Sequence, residues 1–226
     1  MGDSIRMPVL SKDKLVRAGL EAFSTYGYEG VSTRQIAKAA GVNHAAIAYY
    51  FAGKEAFYAA CLDHIAVSVN REMRGFFKEL KLTSNETTMP YRQCERVLGL
   101  FIANMTRFFL GGTDRVVISR IVLREMLDPT PAFERLYEGL LRQMHESMTR
   151  IIARLTGVDP GSREAIIRTH AILGQVLVFH HARAVIERRL AIKKFSQRDI
   201  ADVIATVTSH TFAITKSYRR VADAKR

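Results

Sequence analysis

"STRQIAKAAGVNHAAIAYYF", Ser32 to Phe51, is the stretch whose reading decides the fold. It holds two short apolar-periodic segments around "AGVN". Ser32 and Gln35 stand at capping-box spacing, so each satisfies a free backbone donor of the other at the start of the first helix. Gly41 ends that helix at a position that calls for a left-handed residue, and Asn43 caps the next, which runs to about Phe51. Helices under three turns are marginal in water on their own. They must therefore pack on their neighbours through Ile36, Ala37, Ala40, Val42, Ile47 and Phe51. Two short helices joined by a tight turn make the helix-turn-helix pattern, and the surface opposite that packed face is free for DNA.

The pattern outward from this core is helical throughout, without period-two alternation joined by hairpin turns. Before it, a helix begins after Ser11, with Asp13 in the first turn and Leu15, Ala18, Ala22, Phe23 and Tyr26 on one face; Gly27 closes it. After it, "AGKE" turns the chain into a fourth helix expected from Lys54 to Leu80, roughly 40 Å long. "LTSNETTMP", Leu82 to Pro90, reads as a loop. Further helices are expected over about 91–110 and 114–127. Another is capped by Thr130, with Pro131 at its first position, and runs to about Leu155. A long one covers about 163–192, and a last one runs from Ser196 to about Tyr218. The expected fold is all-α. A domain of residues 1–60 (helices about 11–27, 33–40 and 44–51) passes through the fourth helix into a larger helical domain, 61–226.

The chain has 226 residues, 48% of them hydrophobic, enough for a full core. Its longest apolar runs fall well short of the ~18 residues of a membrane span, and "MGDSIRMPVL" lacks the apolar core of a signal peptide. Cys61 and Cys94 make no disulfide framework and are expected as reduced thiols of a cytoplasmic protein. Lys and Arg number 34 against 22 Asp and Glu, a net charge of +12, which favours a polyanionic partner. Part of that excess lies in the tail, at Lys216, Arg219, Arg220, Lys225 and Arg226. The sequence holds no nucleophile elbow, P-loop or dinucleotide glycine pattern. His180 and His181 point about 100° apart on a helix and do not make an i, i+4 ligand pair, and "HESMT" at His145 lacks a second histidine. The expectation is thus no enzyme, no catalytic residue, no metal and no cofactor.

"STRQIAKAAGVNHAAIAYYFAGKEAFY", with "AFSTYGYEGVS" before it, resembles the DNA-binding signature of tetracycline-repressor-type (TetR) regulators over about residues 11–60. "VNHAAI" and the downstream "LREMLDPTPAFERLY" resemble one subgroup with a distinctive all-helical C-terminal domain, some of whose members are implicated in drug or xenobiotic responses. The resemblance implies that Ser32, Thr33 and Arg34 approach the duplex. Thr33 would meet a phosphate near the free N–H groups of the helix start, and Arg34 a guanine edge. Asn43, His44, Ala45, Ala46 and Ala48 would belong to the major-groove helix, with Tyr49, Tyr50 and Lys54 donating to phosphates beside it. Ala48 stands where a polar residue is more usual in the family, and Tyr50 where histidine is usual.

For the larger domain the resemblance implies an effector cavity and a homodimer interface, the latter through about 163–192 and 197–218. Phe101, Asn104, Met105, Phe108, Arg124, Met144, Met148, His170 and Gln175 are the candidate ligand residues, each with ordinary core filling or a surface position as its alternative. Together these features imply a homodimeric repressor on a palindromic operator, released by a small-molecule effector; an activator or a co-ligand-dependent regulator is the alternative.

Overall fold

The computed structural model describes residues 6–75, 78, 89–111 and 113–224. Among them every regular element is a helix: α1 (Arg6–Tyr26), α2 (Thr33–Ala39), α3 (Ala45–Tyr50), α4 (Lys54–Glu72), α5 (Tyr91–Leu110), α6 (Thr113–Leu127), α7 (Phe133–Leu136), a π-helical turn (Tyr137–Leu141), α8 (Arg142–Thr156), α9 (Arg163–His181), α10 (Arg183–Arg189) and α11 (Gln197–Ala224). The all-α expectation holds.

These elements pack as two compact units. The first takes in the chain up to Arg71 together with Thr113–Leu141; the second takes in Glu72–Gly112 and Arg142–Arg226.

In the first unit, α1 packs against α2, α3 and α6. Its core gathers Leu15, Phe23, Ile36, Ile47, Phe57 and Leu62. The inward set expected from the sequence is buried at Ile36, Ala37, Ile47 and Phe51, with Ala40 and Val42 half-buried. Aromatic edges knit α1 to α4: the Phe23 ring lies 4.7 Å from Tyr58 and 5.8 Å from Phe57, and Phe51 lies 4.8 Å from Phe57. In the second unit, α5 and α8 pack with α9 and α11 around Cys94, Leu98, Phe101, Met148, Ile152 and Val207. Both thiols are buried, and burial pushes them above their ordinary range.

Several boundaries differ from expectation. Ser11 lies within α1, which begins at Arg6, and so does not stand at the helix N-terminus. The fourth helix, expected to Leu80, is described as α4 to Glu72, with a break at Met73; residues 79–88, including most of the expected loop, lie outside the described residues. The helix expected from Pro131 begins at Phe133, although the Thr130 hydroxyl still accepts the Ala132 N–H at 3.2 Å. That helix also passes through a π turn, where the Asn70 side-chain amide donates to the Gly139 carbonyl at 3.0 Å.

The long helix expected over 163–192 is two helices. At Ala182 the backbone leaves helical geometry (φ −92°, ψ 17°) before α10 starts. "FHHARAVIERR" holds neither glycine nor proline, so no local residue announces the break.

Candidate nucleic-acid interface

The helix-turn-helix is held by its own backbone chemistry. Ser32 Oγ accepts the Gln35 N–H at 3.3 Å, and Gln35 Oε1 accepts the Ser32 N–H at 2.8 Å, so the capping box is complete. Gly41 sits at φ +66°; its N–H donates to the Lys38 carbonyl and that of Val42 to Ala37, at 3.1 Å each. This six-to-one closure satisfies the last carbonyls of α2 and needs a left-handed residue at Gly41. Asn43 Oδ1 then accepts the Ala45 N–H at 2.9 Å, which caps α3 from the side-chain position the sequence indicates.

With Ile47 and Phe51 turned inward, α3 presents Ala45, Ala48 and Tyr49 to the outside, preceded by Asn43 and His44; Ala46 and Tyr50 are half-buried. Ser32 and Arg34 are exposed beside them at the start of α2, and Thr33 is half-exposed. Tyr49 is 78% exposed, the largest exposure among the big apolar side chains of the described residues, and its ring meets that of Tyr50 edge-on at 4.9 Å. An open phenol on a helix face is a hydroxyl donor, and among the described residues no protein acceptor takes it.

Two contacts were not legible in the sequence. Thr33 Oγ1 and His44 Nε2 lie 3.0 Å apart, the direction of donation following the imidazole tautomer. That bond ties the start of α2 to the start of α3, so two residues expected to act separately on DNA are one hydrogen-bonded unit in this structure. Lys54 Nζ lies 4.5 Å from the centre of the Tyr28 ring and 3.9 Å from Glu29. Its ammonium is thereby positioned on the α3–α4 turn by a cation–π contact.

The candidate ligand residues do not all come together. Phe101, Phe108, Met144 and Met148 are buried in the second unit, where Asn104, Met105 and Gln175 are half-buried. His170 is exposed on α9, its ring stacked on His145 at 5.0 Å. Arg124 belongs to the first unit, where its guanidinium donates to the Phe23 carbonyl near the C-terminus of α1 at 3.2 Å. His180, adjacent to His181, has its Nδ1 3.2 Å from the Phe109 carbonyl.

The sequence pattern described as "Bacterial regulatory proteins, tetR family" matches residues 15–61, and that of the CecR C-terminal domain matches residues 94–216. The HTH-type transcriptional dual regulator CecR of Shigella flexneri is 34% identical over 200 residues, covering 88% of this chain and 89% of that protein. The HTH-type transcriptional repressor NicS of Pseudomonas putida is 24% identical over 214 residues, 89% of this chain and 88% of its own. Among solved structures, AibR in complex with isovaleryl coenzyme A and operator DNA shares the fold at a TM-score of 0.62 and 12% identity, over 89% of this chain and 98% of that one. The motif geometry and these similarities agree along nearly the whole length: the chain belongs to the TetR family of bacterial transcriptional regulators, with a C-terminal domain of the CecR type.

Proposed function

We propose that this regulator is a cytoplasmic homodimer whose two heads, residues 1–60 of each chain, bind a palindromic operator on double-stranded DNA. Residues 61–226 take a small-molecule effector that releases the operator, in the service of drug or xenobiotic response genes. The observation that carries this reading is the exposed surface formed by Ser32, Thr33 and Arg34 with Asn43, His44, Ala45, Ala48 and Tyr49. It combines a helix N-terminus, a guanidinium, hydroxyls and small side chains over a buried floor. Hydroxyls and helix-end N–H groups serve phosphates, and the guanidinium serves a base edge.

Dimerisation rests on an exposed stripe of α9. Ile167, Ala171, Gly174 and Val178 recur every three or four residues and all face outward. A two-fold interface pairs such a stripe with itself. Effector binding rests on Thr211 in α11: it is fully buried, and its Oγ1 has no hydrogen-bond partner among the described residues. Leaving a buried hydroxyl unpaired costs about 1–3 kcal/mol, which a polar ligand atom would recover. A second reading, an activator or a regulator whose ligand promotes binding, draws on the word "dual" in the name of the CecR relative.

Selection of bound duplexes from genomic DNA tests the proposal. A palindromic consensus that salt weakens is expected, and no enrichment of any sequence would remove the operator reading. In titrations against operator and scrambled duplex, Arg34→Ala is expected to cost about tenfold or more in discrimination, in line with roughly 1–3 kcal/mol for a bidentate base contact. It should cost more than any single alanine-to-glycine change in α3.

A further inference from the structure

The segment "LREMLDPTPAF" does a job in this structure that operator reading leaves unused. Glu125, in α6, is 1% exposed. Its Oε1 accepts the Tyr58 O–H at 2.7 Å, and its Oε2 accepts the N–H and the O–H of Thr130 at 3.2 and 3.1 Å. One buried carboxylate thus ties α4 to the loop ahead of α7. Between these two elements, within the first unit, runs a groove of about 380 Å³. Ala52, Ala56 and Ala59 form one wall and Pro131 and Ala132 the other, with Glu55, Glu134 and Arg135 also lining it. The Glu125 network holds the two walls at a fixed separation, so the space is part of the fold.

Its chemistry narrows the occupant. The walls are methyl and methylene groups. Arg135 lies 3.5 Å from Asp63 and is paired with it, so two carboxylates at the groove are left against no further cation lining it. Glu55 and Glu134 are exposed and make no ion pair among the described residues. A volume of this size is at the lower end of the small-molecule range, and unpaired carboxylates beside it favour a cation and repel an anion.

We propose that this groove binds a small apolar monocation, an alkyl- or arylammonium. Its carbon body lies on the alanine and proline methyl and methylene groups, and its charge faces Glu55 and Glu134. The site stands whether or not the chain reads an operator, because its test contains no DNA.

The test uses the full chain with 13C-labelled alanine methyl groups, titrated with hexylammonium, hexanol and hexanoate. The Ala52, Ala56, Ala59 and Ala132 methyl signals are expected to move together and saturate with hexylammonium, to respond more weakly to hexanol and least to hexanoate. Glu134→Gln should weaken hexylammonium roughly two- to fivefold, the range for an exposed charge pair. Ala56→Phe, which fills the groove, should abolish the response. Thermal melting checks that each variant is folded; if Ala56→Phe is not, Glu55→Gln combined with Glu134→Gln gives the same decision from the rim alone. The proposal is overturned if hexanoate binds as well as hexylammonium, if the four methyls stay still up to the solubility limit, or if folded groove variants bind unchanged.

Discussion

His145 shows how one side chain links burial to pH. It sits on α8 with its ring stacked on His170 of α9, and burial first, then the neighbouring His170, lowers its pKa to about 4. In the unfolded chain an imidazole titrates near 6.5. Between these values the unfolded state binds the extra proton and the folded state does not, so protonation favours unfolding. The stabilising neutral form is complete above about pH 6.5 and its advantage is lost as pH falls towards 4. The melting temperature should therefore drop between pH 6.5 and 5, and His145→Gln should flatten that drop; parallel melting curves at the two pH values measure it. The Thr33–His44 bond acts at the same scale. It occupies two candidate DNA-facing groups with each other, while Arg34 and Lys38 on α2 and Tyr49 on α3 stay exposed.

The same helix ending occurs at two places with different residues. At Gly41 a left-handed residue closes α2, and at Ala191, φ 54°, one closes α10, where the N–H groups of Ala191 and Ile192 donate to Arg188 and Glu187. Left-handed backbone costs an L-residue about 1–2 kcal/mol and glycine almost nothing. Nothing lies within 4 Å of a methyl placed on Gly41, so its substitution is a pure backbone test. Gly41→Ala should lower stability by about 1 kcal/mol and Ala191→Gly should raise it by up to about the same, read from urea denaturation midpoints. "AGVN" announces its turn through glycine and asparagine. "RRLAIKK" makes the same turn with alanine and gives no such signal, which is why the expected helix runs on to 192 although α10 ends at Arg189.

Charge at the scale of the whole molecule is not where the helix-turn-helix is. The segments up to Arg71 and from Thr113 to Leu141 carry 12 Lys and Arg against 11 Asp and Glu, while the rest of the chain carries 22 against 11. DNA affinity in the proposed head must then come from local donors more than from a general positive field. A low-affinity head gains most from being doubled, because the second head binds at the effective concentration set by the first. The exposed stripe on α9 is where that doubling is proposed. Val178→Glu, which puts a charge on Val178, 48% exposed at the C-terminal end of that stripe, should shift the chain to monomer in sedimentation velocity and weaken operator binding by at least tenfold. A variant that stays dimeric would move the interface elsewhere.

What the sequence determined by itself is local. The capping box at Ser32 and Gln35, the glycine turn at Gly41, the asparagine cap at Asn43 and the apolar spacing of Ile36, Ile47 and Phe51 each act within four residues or one helix period. They mark where the two short helices begin, turn and end, while the packing that stabilises them comes from α1 and α4. The tertiary structure decided what depends on groups far apart in sequence. Tyr58 meets Glu125 across 67 positions, and Arg124 reaches the Phe23 carbonyl across 101. It also assigned Arg124 to the end of α1, set Thr33 against His44, and opened a groove between α4 and Pro131. No periodicity encodes such pairings, because each depends on how packed helices bring their side chains together.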